Sequence, residues 1–305
     1  MLPPDGRTKL EDPELGRRRT EIEGATKMRK LFAGSILVLA AAMAALPVAM
    51  AQATQPTQNG ALTNTVYNKL NAGTGGAAPK RDLSGSWAGP VQVDAQTKTS
   101  LMTPLGQKTF AANKPEPKYH IAGTNDTFAR MCDPLGFPRN MVFELRGLSF
   151  ATMPDRMVVL SQYQRAWREI WTDGRTLPTN VGGTDKGALD PRYYGYSVGH
   201  WENDNTFVVD TTGLDERTWL QRSGFPHSIN AHVQERYTRA DHNDLHLSVT
   251  VDDPVMYTKP FTLGEADFKW VPNQQLDEQL CIPSEMLQYL NLIGDPAGTG
   301  VPADK

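Results

Sequence analysis

Cysteine is scarce: Cys132 and Cys281 are the only two in 305 residues. No C-x-x-C pair occurs, which removes a redox dithiol and a cysteine-rich zinc site. Clusters of Lys and Arg are missing after residue 51. Neutralising phosphates requires such clusters, so nucleic acid is excluded as a partner. No glycine loop has the setting that cradles phosphate, and "GGTDKG" (182–187) follows no strand-to-helix pattern, so no cofactor is expected. No helix-length apolar pattern interrupts the chain from about residue 141 to 282.

The one long apolar run is near the start. Met28-Arg29-Lys30 precedes "LFAGSILVLAAAMAALPV" (31–48), and Ala49-Met50-Ala51 supplies an A-x-A cleavage site. Residues 28–51 therefore read as a signal peptide within a targeting region 1–51, and 1–27 as sequence upstream of the true start. A periplasmic or secreted location follows, with no stable membrane insertion after cleavage. Taking the eight basic and six acidic residues of 1–51 from totals of 31 and 34 leaves the remainder about five charges negative. In an oxidising compartment Cys132 and Cys281 are expected to form a disulfide, contributing on the order of 4 kcal/mol through loop closure.

Residues 52–81 are rich in Gln, Thr, Asn, Gly and Ala and read as a flexible linker. Residues 82–288 read as a single β domain and 289–305 as a disordered tail. A short helix is expected over 103–113, where Thr103 can cap and Pro104 fits the first turn. From about residue 141 the hydrophobic period is two, with turn residues at short intervals. Strands are expected near Trp87 and at 141–150, 157–163, 167–172, 195–201, 206–212, 231–238, 245–252, 260–269 and 276–282. About ten strands joined by tight turns give an all-β, antiparallel up-and-down meander, closed as a barrel or packed as a sandwich. In such a meander alternate connections share an end, which would gather 173–194, 213–230 and 252–258 at one loop-rich mouth and leave 164–166, 202–205, 240–244 and 271–275 at the other end.

Candidate site residues are those this mouth would collect. Trp171, Asp173 and Arg175 come from "IWTDGR", and Tyr196 from "YYGYSVG". Trp219, His227, His232 and Tyr257 come from loops and strand starts. Trp219 in "DERTWLQRSG" is the residue least easily explained as core, and so the best ligand contact. Asp173 and Arg175 also fit a simple ion pair. Asp210 in "TFVVDTT" shares a face with Val208 and Thr212; pointing inward, it would need an arginine such as Arg236 or Arg168. His227 in "SGFPHS" suits a general base, a ligand donor or a plain loop residue. Ser228 adds little, because adjacent residues seldom give nucleophile-to-base geometry and no G-x-S-x-G elbow is read in the chain. His242 and His246 have i, i+4 spacing but span a turn and lack the glutamate of H-E-x-x-H, and His227, His232 and Asp210 make no stronger set, so no metal is expected.

The run "DLSGSW … GFPR … IWTDGR … GYSVGHW … VVDTTG … PHS … ERYTR … DDPVMYTKPF" resembles a large family of secreted bacterial proteins usually left as hypothetical. The resemblance covers nearly all of 82–282 and implies one exported domain, with no activity to carry over. Gly85-Ser86-Trp87 is also similar to the G-x-W start of lipocalin-like barrels, which implies a fold and not a function. The expectation is an exported barrel that binds a small, partly apolar or aromatic molecule at its loop-rich end. Trp171 and Trp219 would stack on it, and Arg175, Tyr196, Asp210 and His227 would orient it. The alternatives are a hydrolase, lyase or isomerase using Asp210 and His227 as acid and base, and an envelope interaction protein with a filled mouth.

Overall fold

Every second residue of "HVQERYTR" and "DLHLSVTVD" is buried, the signature of strands with one face in a core. The computed structural model describes residues 76–89, 93–95, 99–115, 123–142, 147–271 and 279–297. The expected signal peptide 28–51 and residues 52–75 of the expected linker lie outside the described residues. The strands are β1 Gly85–Ala88, β2 Val93–Ala95, β3 Gly147–Thr152, β4 Arg156–Ser161 and β5 Trp167–Trp171. They continue as β6 Tyr196–Trp201, β7 Thr206–Thr212, β8 His232–Arg239, β9 Asp244–Asp252 and β10 Phe261–Trp270.

The sheet order is β1-β3-β4-β5-β6-β7-β8-β9-β10, and β1 pairs with β10 to close it. β1 and β2 both run along the same edge of β10, with Trp87 opposite Trp270 and Val93 opposite Ala266. They share one place in the wall, so the barrel has nine strand positions and not ten. Gln279 forms an isolated bridge to Tyr163, and a helix begins at Pro283, so the described part of the expected strand 276–282 is not one; 276–278 lie outside the described residues.

Nine strands cannot close as a purely antiparallel ring. Strand direction must reverse an even number of times around any closed circuit, so an odd count needs a parallel pair. That pair is β5 and β6, with Ile170 opposite Ser197 and Trp171 opposite Val198. The expectation of a strictly antiparallel meander fails here. The connection 172–195 is a crossover that starts at one end of the barrel and finishes at the other, as parallel neighbours require.

Loop placement changes accordingly. The turn 162–166 joins 213–231 and 253–260 at one end, called here the upper end, and 202–205 and 240–243 occupy the lower end. Trp171, Asp173 and Arg175 therefore sit toward the lower end, away from His227 and Tyr257. The upper end is no open mouth. Helix α1 (Pro104–Ala112) is capped by Thr103, whose Oγ1 accepts from Gly106 N and donates to Val255 O. A Cβ at Gly106 would collide with the Met256 carbonyl oxygen, so glycine permits this close approach. Phe110 of α1 meets Phe225 edge-on at 5.1 Å.

Inside, Trp87, Leu148, Phe207, Val209, Val233, Tyr237, Leu247, Val249 and Phe268 are fully buried. Each such side chain contributes about 1.5–3 kcal/mol by leaving water. Small barrels can be filled this way, so the lumen is a core rather than a ligand cup. Beside the turn 162–166, where Gln164 bonds Leu135 N and Asp133 O, α2 (Thr127–Met131) is capped by Asp126 and α3 spans Arg139–Val142. The Cys132–Cys281 disulfide, 149 residues apart in sequence, fastens this segment to the start of α4 (Pro283–Tyr289). Residues 290–297, expected as disordered tail, continue as helical turns; 298–305 lie outside the described residues.

Candidate functional site

The crossover must run outside the wall, and it encloses a groove against β5 and β6. Alternation turns Trp167, Glu169 and Trp171 of β5 outward, while Arg168 and Ile170 face in. The groove has a volume of about 1040 Å³ and is walled by these outward residues, by Thr176 to Thr179 of the crossover, and by Tyr194 and Tyr196. A smaller hollow of about 420 Å³ adjoins it and shares Trp167 and Tyr194; the disulfide cysteines and Leu280 line its far side. Trp167 stands between the two hollows with 61% of its surface exposed. Tyr194 packs against the core, and burial pushes its phenol up to about 12, so it presents a neutral ring.

Three of the expected ligand residues, Trp171, Arg175 and Tyr196, line this groove, and Asp173 joins them through its bond to Arg175. Arg156 lies over the Trp171 ring at 3.7 Å and Arg175 at 3.4 Å from its centroid. Two cations at such distances occupy opposite faces, so Trp171 is sandwiched and has no free face for a ligand. Arg156 is bound by Asp155 and Glu169, and Arg175 by Asp173. The bond from Arg175 holds the Asp173 carboxyl below its ordinary value. Tyr196 donates its hydroxyl to Asp190 O at 2.8 Å, fixing the crossover to the wall.

The remaining expected residues are elsewhere. Trp219, expected as a ligand contact, is 5% exposed, and Leu220 and Phe225 of the same loop are core residues. His227 is buried, with Nε2 2.9 Å from Thr218 Oγ1. The Thr218 hydroxyl is also 2.9 Å from Asp215 O, and His227 Nδ1 lies 3.3 Å from Ser228 O, so both ring nitrogens have polar neighbours. Burial pushes the His227 pKa down, which keeps the ring neutral. Ser228 donates through N and Oγ to the buried Asp253 carboxylate at 2.6 and 2.8 Å. Tyr257 donates to Pro226 O. These groups knit the two upper loops together.

Asp210 points outward, because Phe207, Val209 and Thr211 take the inner face of β7. It accepts from His232 Nε2 at 2.9 Å and from Gln234 Nε2 at 3.1 Å. The bond from His232 lowers the Asp210 pKa and raises that of His232. Asp210 and His227 thus have separate partners and form no acid–base pair. The arginines suggested for Asp210 are engaged elsewhere: Arg236 with Glu202 at 2.5 Å and Arg168 with Glu235 at 2.6 Å.

Glu235 is the notable residue missed in the sequence, and it, not Asp210, is the partner of Arg168. Glu235 and Arg168 meet inside the barrel, where Tyr237 also donates to Glu235 at 2.6 Å and Phe137 lies 4.2 Å below the guanidinium. The available signal was a glutamate in phase with Val233 and Tyr237. A second overlooked pattern is Gly195-Tyr196-Ser197-Val198-Gly199, which has the letters of a nucleophile elbow. Ser197 is buried within β6 and shares a hydrogen bond with Thr211 at 2.9 Å, so no strand-to-helix turn presents it. His246 pairs with Asp267, and His242 lies against Trp270. Among the described residues, no three His, Cys, Asp or Glu side chains come together as a metal set. Compared with known proteins, the chain matches no family model and no curated sequence.

Proposed function

We propose that the protein is exported and binds a small, partly aromatic molecule in the groove between β5 and the crossover, not in the barrel lumen. The observation that carries this reading is Trp167. A tryptophan usually buries its large apolar surface, yet this one stands exposed where two adjoining hollows meet. Tyr194 and the aliphatic parts of Leu177, Pro178 and Leu189 supply further apolar wall. The disulfide and the signal sequence at 28–51 support export into an oxidising compartment.

The test is calorimetric titration of the full chain with 2-naphthol, in wild type and Trp167→Ala. Measurable heat with saturation, lost or weakened roughly tenfold in the variant, is the expected result. Equal affinity in both proteins, or no binding at millimolar probe, overturns the reading. Acid–base catalysis by Asp210 and His227 has no support, since each is committed to a different neighbour.

A further inference from the structure

The groove's charges are almost all spoken for, and the exception indicates what it accepts. Arg168 is held by Glu235, Arg175 by Asp173, and Glu169 by Arg156. Arg192 alone among the charged lining residues has no ion pair or side-chain hydrogen bond among the described residues. Its guanidinium carbon lies over the Tyr196 ring, 4.2 Å from the centroid. Arg192 is therefore the one lining charge without a counter-charge at ion-pair distance among the described residues.

The backbone beneath that charge is fixed. Arg192 N donates to Gly213 O at 3.0 Å, and Arg192 O accepts from Asp215 N at 3.0 Å and Gly195 N at 3.1 Å. The contact with Tyr196 restrains the side chain as well, and the guanidinium N–H groups have no side-chain or backbone acceptor among the described residues. A planar fork held in this way matches a carboxylate bidentately. The exposed ring of Trp167 lies in the same groove.

From this geometry we infer that the ligand is an aromatic acid: its ring packs on Trp167 and its carboxylate pairs with Arg192. This inference rests on the groove being the binding site. Calorimetry of the full chain with 2-naphthoate and its neutral counterpart 2-naphthamide tests both levels. Wild type is expected to prefer the acid roughly tenfold, the scale of one charge-assisted hydrogen-bond pair. Arg192→Gln should level the two by weakening only the acid, and Trp167→Ala should weaken both. Equal binding in wild type, or a preference that survives Arg192→Gln, overturns the aromatic-acid inference. If Trp167→Ala still weakens both probes in that case, the groove reading stands. Failure of wild type to bind either probe overturns both. An unchanged near-ultraviolet dichroism spectrum serves as the folding control for each variant.

Discussion

Arg168 and Glu235 face each other across the barrel interior at 2.6 Å, one almost and the other wholly removed from water. Such a pair gains little over apolar residues of the same volume, but removing one partner strands a buried charge. Glu235→Gln is expected to lower unfolding stability by about 3–5 kcal/mol. The double change Arg168→Met with Glu235→Leu should recover most of that loss. Urea denaturation decides the matter: a loss below about 1 kcal/mol for Glu235→Gln would show that water reaches the pair.

His232 and Asp210 form a half-exposed pair on the outer face of the wall. Its bond to the carboxylate raises the His232 pKa above the ordinary 6.5, and the same bond lowers that of Asp210. The histidine's stabilising share is whole below its ordinary value and is lost as pH rises through the raised one. The carboxylate's share is whole above its ordinary value and is lost as pH falls through the depressed one. In a proton NMR titration the His232 ring signal should show a midpoint above 6.5, returning toward 6.5 in Asp210→Asn. A midpoint that ignores the substitution would break the assignment.

His227 behaves in the opposite sense. Burial holds its pKa below 6.5, so the unfolded chain binds this proton more readily than the folded one. The associated stability is intact above about pH 6.5 and declines as pH falls toward the depressed folded value. His227→Gln keeps a polar side chain that can hydrogen-bond Thr218 but does not titrate. Its urea midpoint should fall less than that of wild type between pH 7 and 5, and parallel declines would mean the imidazole titrates normally.

Much of the wall was legible because alternation is a local signal. The expected strand 206–212 matches β7, the other strands from β4 to β10 fall within a residue or two of their expected limits, and Thr103 caps a helix as its side chain and the following proline imply. The disulfide followed from compartment and count. What escaped was decided by long-range partners. In "TFVVDTT" both phases carry valine, so the facing of Asp210 was settled by Phe207 and Thr211 fitting the core. Trp219 looked like a loop residue because the sequence does not reveal that α1 packs over that end and makes its loops a second core layer. The turn-rich stretch 173–194 gives no local sign of whether it reverses the chain or carries it across the wall. That one decision moved Trp171, Asp173 and Arg175 away from His227 and created the groove beside them.

The single parallel seam also has an evolutionary reading. Eight of the nine junctions in the ring are antiparallel, and where a short turn makes the connection its length and register constrain each other. The β5–β6 junction pairs only at Ile170–Ser197 and Trp171–Val198, and its connection is already long. Insertions and substitutions there leave every hairpin register untouched, so the crossover is the part of this chain where new specificity can be tried at least cost to folding.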